Sequence, residues 1–205
     1  MDDIPSAPVS RGFQFTQRMR EVCADMVARL PELSHIHLDR VAISFSQARK
    51  RGSYGIHATL TPMRFEGGRE EEIRYGQLYR CQRLFDSSGQ EFLYILSFYL
   101  PRFLDAPLEE KLVTILHELW HISPFFDGDF RRFDGRCYAH SHSQQQYDDQ
   151  MLILAKKWLA KTPPHSLYGF LEYSFDQLAI EHRVIYGTKI RHPKLIAVDS
   201  PLRES

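Results

Sequence analysis

Cysteine is scarce: Cys23, Cys81 and Cys137 are the only three in 205 residues. Their odd number and wide spacing exclude a disulfide framework and a Cys-x-x-Cys zinc ribbon, and they fit a reducing, cytoplasmic setting. Net charge is also missing, because 26 basic residues balance 26 acidic ones. A broad nonspecific nucleic-acid footprint is therefore not implied. No run of about 18 apolar residues occurs. The opening Met1-Asp2-Asp3-Ile4-Pro5 is acidic and carries no apolar segment, so neither a membrane span nor an export signal is expected. No internal repeat, low-complexity block or composition shift divides the chain. With 43% hydrophobic and 25% charged residues, the expectation is one globular domain over 1–205, with loose tails near 1–10 and 198–205.

Apolar periodicity is what the chain does have. Phe15, Met19, Val22, Met26 and Leu30 recur at helical spacing before Pro31, which predicts a core-packing helix over 12–30. Val41, Ile43 and Phe45 alternate with small or polar neighbours, as do Ile56, Ala58 and Leu60; two half-buried strands follow, expected to pair as a hairpin through Arg49–Gly52. A third strand is predicted over Ile73–Phe85. Phe92–Leu100 is apolar on both faces, as suits a covered central strand ending at Pro101. Leu108, Leu112, Leu116, Leu119 and Trp120 form the stripe of a helix from Ala106 to Ile122, with Asp105 as its cap and Glu109 and Glu110 in its first turn. Tyr147, Met151, Leu154 and Trp158 mark a further helix over 144–161 behind Ser143, closed by Pro163 and Pro164. A short helical pattern over 167–180 and an extended stretch over 183–190 complete the reading.

The second of these helices carries His117-Glu118-Leu119-Trp120-His121. At 3.6 residues per turn, positions 117 and 121 stack on one face, so two imidazoles can reach one metal ion while Glu118 flanks the open coordination position. Chance alone would produce such a string about 0.03 times in a chain with this many His and Glu residues, so its place on an amphipathic helix counts as signal. Catalytic zinc takes three protein ligands and leaves a fourth position for water. His140, 19 positions after His121, is the leading third ligand, with His142, Asp127 and Glu172 as alternatives. Asp127 lies six residues after His121, a compact spacing that normally carries glycine where Pro124 stands here. Given the metal, Glu118 is the general base that takes a proton from the activated water and passes it to a leaving amine. Tyr138, Tyr147, Arg131 and Arg132 are candidates for oxyanion support, each with a competing structural role. His35, His37, His57, His165, His182 and His192 lack ligand spacing to the motif, and Cys137 is assigned no role.

The string His117–Pro124, the following Phe126-Asp127-Gly128 and Gly135–Ser141, and a helix opening just after, resemble the small zincin metallopeptidases, in particular the SprT-like group and related phage-type enzymes. The resemblance spans residues 12–160 in element order and is specific between Leu112 and Tyr147. It implies an α+β minimal zincin fold: a small, mostly antiparallel sheet packed against an N-terminal helix and the His-Glu-x-x-His helix. It further implies Zn2+ at His117, His121 and His140, Glu118 as catalyst, and a peptide or protein substrate laid along the sheet's edge strand. His140 is followed by Ser141 where the SprT-like group commonly has glycine, and the zinc ribbon of that group is absent, so action on DNA-bound proteins is not indicated. The alternative is a noncatalytic zincin-fold module that binds peptides and uses its metal structurally, although a structural zinc has no need of Glu118.

Overall fold

Apolar rows dictate where each element lies, and the chain buries them against one face of a central sheet. The computed structural model describes residues 12–48, 55–132 and 144–198. In chain order the elements are β1 (Phe13–Gln14), α1 (Phe15–Arg29), β2 (Val41–Gln47), β3 (Ala58–Pro62), β4 (Glu71–Arg74), β5 (Gln77–Cys81) and β6 (Tyr94–Leu100). There follow α2 (Arg102–Asp105), α3 (Leu108–Trp120), α4 (Gln144–Ala160), α5 (His165–Tyr168), α6 (Phe175–His182), β7 (Ile185–Tyr186) and β8 (Leu195–Ala197). The architecture is mixed α+β with small sheets. Among the described residues, no helix is long and apolar enough to cross a membrane.

The central sheet has the order β2-β6-β3. β2 runs parallel to β6 with Ile43 opposite Leu96, and β3 runs antiparallel to it with Leu60 also opposite Leu96. The expected hairpin between the strands near 41–45 and 56–60 is therefore not made. β6 carries the densest apolar row and takes the middle, where it gains a neighbour on each side. Gln47 at the end of β2 and Ala58 at the start of β3 stand on opposite sides of β6, two strand spacings or roughly 10 Å apart. The sheet is mixed rather than mostly antiparallel. One of its faces presents Val41, Ile43, Phe45, Ala58, Leu60, Tyr94, Leu96, Phe98 and Leu100 to the main core. β6 is not equally covered on its other face: Ser97 and Tyr99 are only half-buried there, and Tyr99 Oη lies 3.3 Å from Thr59 Oγ1.

Three helices close the core. The predicted stripe of α1 is buried, and its N-terminus is capped by Gln14, whose side chain accepts from the Gln17 N–H at 3.1 Å. α3 buries Leu112, Ile115, Leu116 and Leu119. α4 buries Met151, Leu154 and Trp158, and the Trp158 indole N–H donates to Asp25 of α1 at 2.8 Å. Ser143, its expected cap, lies outside the described residues, as does the Arg49–Gly52 connection.

Other expectations are refined. The strand predicted over 73–85 is two strands, β4 and β5, folded over a tight turn in which Tyr75 and Gly76 both have positive φ. β8 pairs with β5, so the chain is held up to Val198, whose N–H donates to Leu78. The 167–180 pattern is broken into α5, a 3-10 turn over Gly169–Glu172, and α6. Within 183–190 only β7 is strand, although the Thr188 carbonyl accepts from Phe45 N–H at 3.1 Å on the edge of β2. Asp105 does not cap α3, which begins after Pro107; its carboxylate accepts from Phe175 N–H, at the first residue of α6. Pro107 enters α3 at a position where a missing N–H is harmless.

A guanidinium cluster pins the turn before β6. The Glu91 carboxylate accepts from Arg83 at 2.6 and 2.9 Å and from Arg64 at 2.9 Å, and Arg83 and Arg64 hold its pKa at about 2. A carboxyl with a depressed native pKa contributes stability that is complete above its unfolded value, near 4.5, and is lost as pH falls through the native one. Urea titrations at a series of pH values should therefore show Glu91→Gln costing about 2–3 kcal/mol at pH 7 and progressively less from pH 4.5 down to pH 2. A difference independent of pH would refute the assignment.

Candidate metal centre

The helical geometry that stacks positions 117 and 121 is realised at the C-terminal end of α3. His121 is the C-cap residue, and its N–H donates to the His117 carbonyl at 3.2 Å. The two rings stand edge to face with centroids 4.6 Å apart, and their Nε2 atoms are 2.9 Å apart. Two nitrogens sharing one zinc ion, each at about 2.0–2.1 Å, lie roughly 2.9–3.4 Å apart for angles between 90° and tetrahedral. The pair fits a shared cation at the tight end of that range. With one Nε2 protonated, the same spacing is an N–H···N hydrogen bond.

Glu118 is 9% exposed and lies against β3, where the Leu60 backbone N–H faces its carboxylate. That N–H is available because of strand parity. Tyr99 N–H donates to the His57 carbonyl and Met63 N–H to Leu93, so residues 57, 59, 61 and 63 face β6 while 58, 60 and 62 face outward. Burial raises the Glu118 pKa to about 7, with the Leu60 N–H acting in the opposite direction. The arrangement places a buried, protonatable carboxylate of α3 against β3, one residue along the helix from the first of two imidazoles whose Nε2 atoms converge.

The chain after α3 doubles back on itself. Arg131 N–H donates to the His121 carbonyl at 2.7 Å, Ile122 and Phe130 form an antiparallel bridge, and Phe126 N–H donates to the Ser123 carbonyl at 2.8 Å. Phe126 takes a φ of 50°, unusual for a bulky residue, and its ring is buried against Tyr94 and His37. Both arginines considered for oxyanion support are used structurally. Arg131 donates to the Trp120 carbonyl at 2.7 Å and stacks 4.2 Å over the Trp120 ring, closing the helix C-terminus. Arg132 grips both oxygens of Asp129. Burial opposes ionisation of Asp129, but Arg132 and the N–H groups of Gly67 and Phe130 outweigh it and hold its pKa below the usual carboxylate range.

Of the alternative third ligands, Asp127 accepts from the Asp129 N–H at 3.1 Å as a turn residue, and Glu172 lies 3.0 Å from His165 in an exposed pair. Among the described residues, no group of three or more His, Cys, Asp or Glu side chains is placed to hold a metal ion. His140 and His142 lie outside the described residues, together with Cys137, Tyr138 and the side chain of Tyr147. The histidines set aside on spacing have other neighbours: His57 lies 3.3 Å from Glu110, His182 packs on Phe13, and His37 packs on Phe126.

Two features escape a reading of spacing alone. One is the Leu60 N–H, a backbone group whose direction depends on which strand lies beside β3. The other is Lys111, 1% exposed on α3, whose ammonium donates to the carbonyls of Leu171 and Tyr173 at 2.7 and 2.9 Å. Burial lowers its pKa to about 8, and Asp105 acts in the opposite direction. Lys111 ties the first half of α3 to the C-terminal segment.

No protein-family model, curated protein or solved structure matches the chain, so any functional reading rests on these residues and their geometry.

A carboxyl with a raised native pKa imposes a folding penalty that is absent below its unfolded value near 4.5, grows as pH rises to 7, and is complete above it. In chelator-treated protein, Glu118→Gln should therefore raise unfolding stability by about 2–3 kcal/mol at pH 8 and leave it unchanged at pH 4.5. Urea titration at the two pH values measures the difference; equal effects at both would refute the buried-carboxylate account.

Proposed function

We propose that the protein is a cytoplasmic zinc-dependent metallopeptidase with a zincin-like fold of the SprT-like kind. The observation that carries this reading is the convergence of the His117 and His121 Nε2 atoms beside a buried Glu118 that lies against an edge strand. His140 is proposed as the third ligand. Zinc bound there would supply an acidified water and polarise a peptide carbonyl. Glu118 would accept a proton from that water and return it to the departing amine, and its burial, which raises its pKa to about 7, lets it serve as acceptor and donor near neutral pH. Burial of Glu118 against β3, with the Leu60 N–H facing its carboxylate, would limit the orientations of the proton acceptor before substrate arrives. The outward side of β3 aligns an extended peptide by main-chain hydrogen bonds.

Metal analysis by mass spectrometry, together with cleavage of β-casein, tests the reading. The native protein should hold one zinc and cleave; Glu118→Gln should keep the zinc and lose cleavage by about 10²–10⁴-fold, the usual worth of a general base. His140→Ala should lose zinc, and His142→Ala should keep it. Cleavage unaltered by Glu118→Gln would overturn the enzyme reading. Zinc retention with no cleavage by the native protein would favour the peptide-binding module.

A further inference from the structure

We propose that the outer edge of β8, with the basic chain leading into it, is a docking surface for an acidic, extended segment of a protein partner. Between Glu181 and Asp199 the sequence has no acidic residue, while Arg183, Lys189, Arg191 and Lys194 all fall there. These four are exposed, and so is Arg80, which stands opposite Ile196 across the β5–β8 ladder. Among the described residues, Arg80, Arg183, Arg191 and Lys194 make no ion pair and no side-chain hydrogen bond, and Lys189 lies 5.0 Å over the Phe45 ring. Arg18, Arg29, Arg64, Arg83 and Arg132 are by contrast each held by a carboxylate. A chain without net charge thus keeps an unneutralised positive strip on one segment. Glu71, opposite Arg80 on β4, is the only carboxylate on that face among the strands of this sheet.

The backbone beside these cations is open. β8 is the last strand of the β4-β5-β8 sheet, and no described strand pairs with its far side. Val198 N–H donates to the Leu78 carbonyl at 2.9 Å and Gln82 N–H to the Lys194 carbonyl at 2.8 Å, so residues 194, 196 and 198 face β5. The parity of an antiparallel ladder then turns both the N–H and the carbonyl of Leu195 and of Ala197 outward. Both residues are exposed, Leu195 by 44%. An antiparallel strand laid here exchanges a pair of hydrogen bonds with each of them. Its residue opposite Ile196 shares a face with Ile196, and the residue two places on lies beside Lys194, so an apolar side chain fits the first position and a carboxylate the second. Charge selects the occupant. A second copy paired through its own β8 brings two positive strips together, which is unfavourable. A nucleic acid uses the cations and leaves the outward strand groups unmatched. An acidic polypeptide satisfies both.

Neither metal nor cleavage enters the test, which titrates the full chain with a short fluorescein-labelled peptide of alternating Glu and Val. Binding should slow amide exchange of Leu195 and Ala197 by about tenfold or more, with a smaller change at Ile196, whose N–H already faces β5. Arg191→Glu combined with Lys194→Glu should weaken binding by roughly tenfold at low salt, with an unchanged melting temperature. Ala197→Pro removes one outward donor and no ladder bond, and should weaken binding while the melting temperature again holds. N-methylation of the peptide should do the same at alternate residues only, and a peptide of alternating Lys and Val should not bind. Absence of protection at Leu195 and Ala197 with peptide up to about 1 mM would overturn the proposal. So would tighter binding of oligothymidylate or of phosphatidylserine vesicles than of the acidic peptide. Protection that appears without peptide as protein concentration rises would replace the acidic partner by a second copy and overturn it as well.

Discussion

The contact between α3 and the central sheet is the constraint on which the candidate site depends. Leu112, Ile115, Leu116 and Leu119 fill the core, and this fixes the rotation of the helix about its axis. With that rotation set, helical geometry leaves little freedom for the neighbouring positions. Glu118 falls at the margin of the buried face, within reach of the edge strand, and His117 and His121 fall on a half-buried strip beside it. A shift of one residue in the apolar stripe would turn the helix by roughly 100° and separate the carboxylate from β3. Packing of ordinary leucines and isoleucines thus sets the geometry of the polar group.

Each end of this helix is fastened by a cation, buried Lys111 at the start and half-buried Arg131 at the end. Lys111 binds two carbonyls of the C-terminal segment near the start of the helix, and Arg131 binds the Trp120 carbonyl at its end. Both use charge-assisted hydrogen bonds to backbone oxygens, which are stronger than neutral ones. The loop after the helix is held further by Asp129, whose carboxylate joins Arg132 to the Gly67 N–H. His121 sits between the helix and this braced loop, its N–H bonded to the His117 carbonyl and its own carbonyl bonded to the Arg131 N–H.

Local patterns were legible in the sequence where one element satisfies its own requirements. The stripes of α1, α3 and α4 follow from helical spacing: that of α1 is buried throughout, Leu112, Leu116 and Leu119 of α3 are buried with Leu108 and Trp120 half-buried at its ends, and Met151, Leu154 and Trp158 of α4 are buried. The pairing of His117 with His121 is equally local, because four residues of helix bring the two together whatever surrounds them. Asp105 was misread for the same reason. A residue before a helix looks like its cap, but the distant Phe175 N–H takes the carboxylate instead. For Arg131 and Arg132 a structural role competed with oxyanion support from the start, and the structure shows which contacts fill it: one closes the helix and the other pairs with Asp129.

The sequence by itself determined helices α1, α3 and α4, the strand segments near 41–47, 58–62 and 94–100, and the stacking of two imidazoles with an adjacent carboxylate. These depend on periodicity within a few turns or strand residues, which short-range sterics and hydrophobic burial dictate. Tertiary structure alone decided that β6 lies between β2 and β3, since strand order is settled by which arrangement buries the most apolar surface across the whole sheet. It thereby decided that the backbone of 58, 60 and 62 faces outward and that Leu60 meets Glu118. Hydrogen-bond direction along an edge strand is a property of the neighbour it lacks, and no local pattern records that.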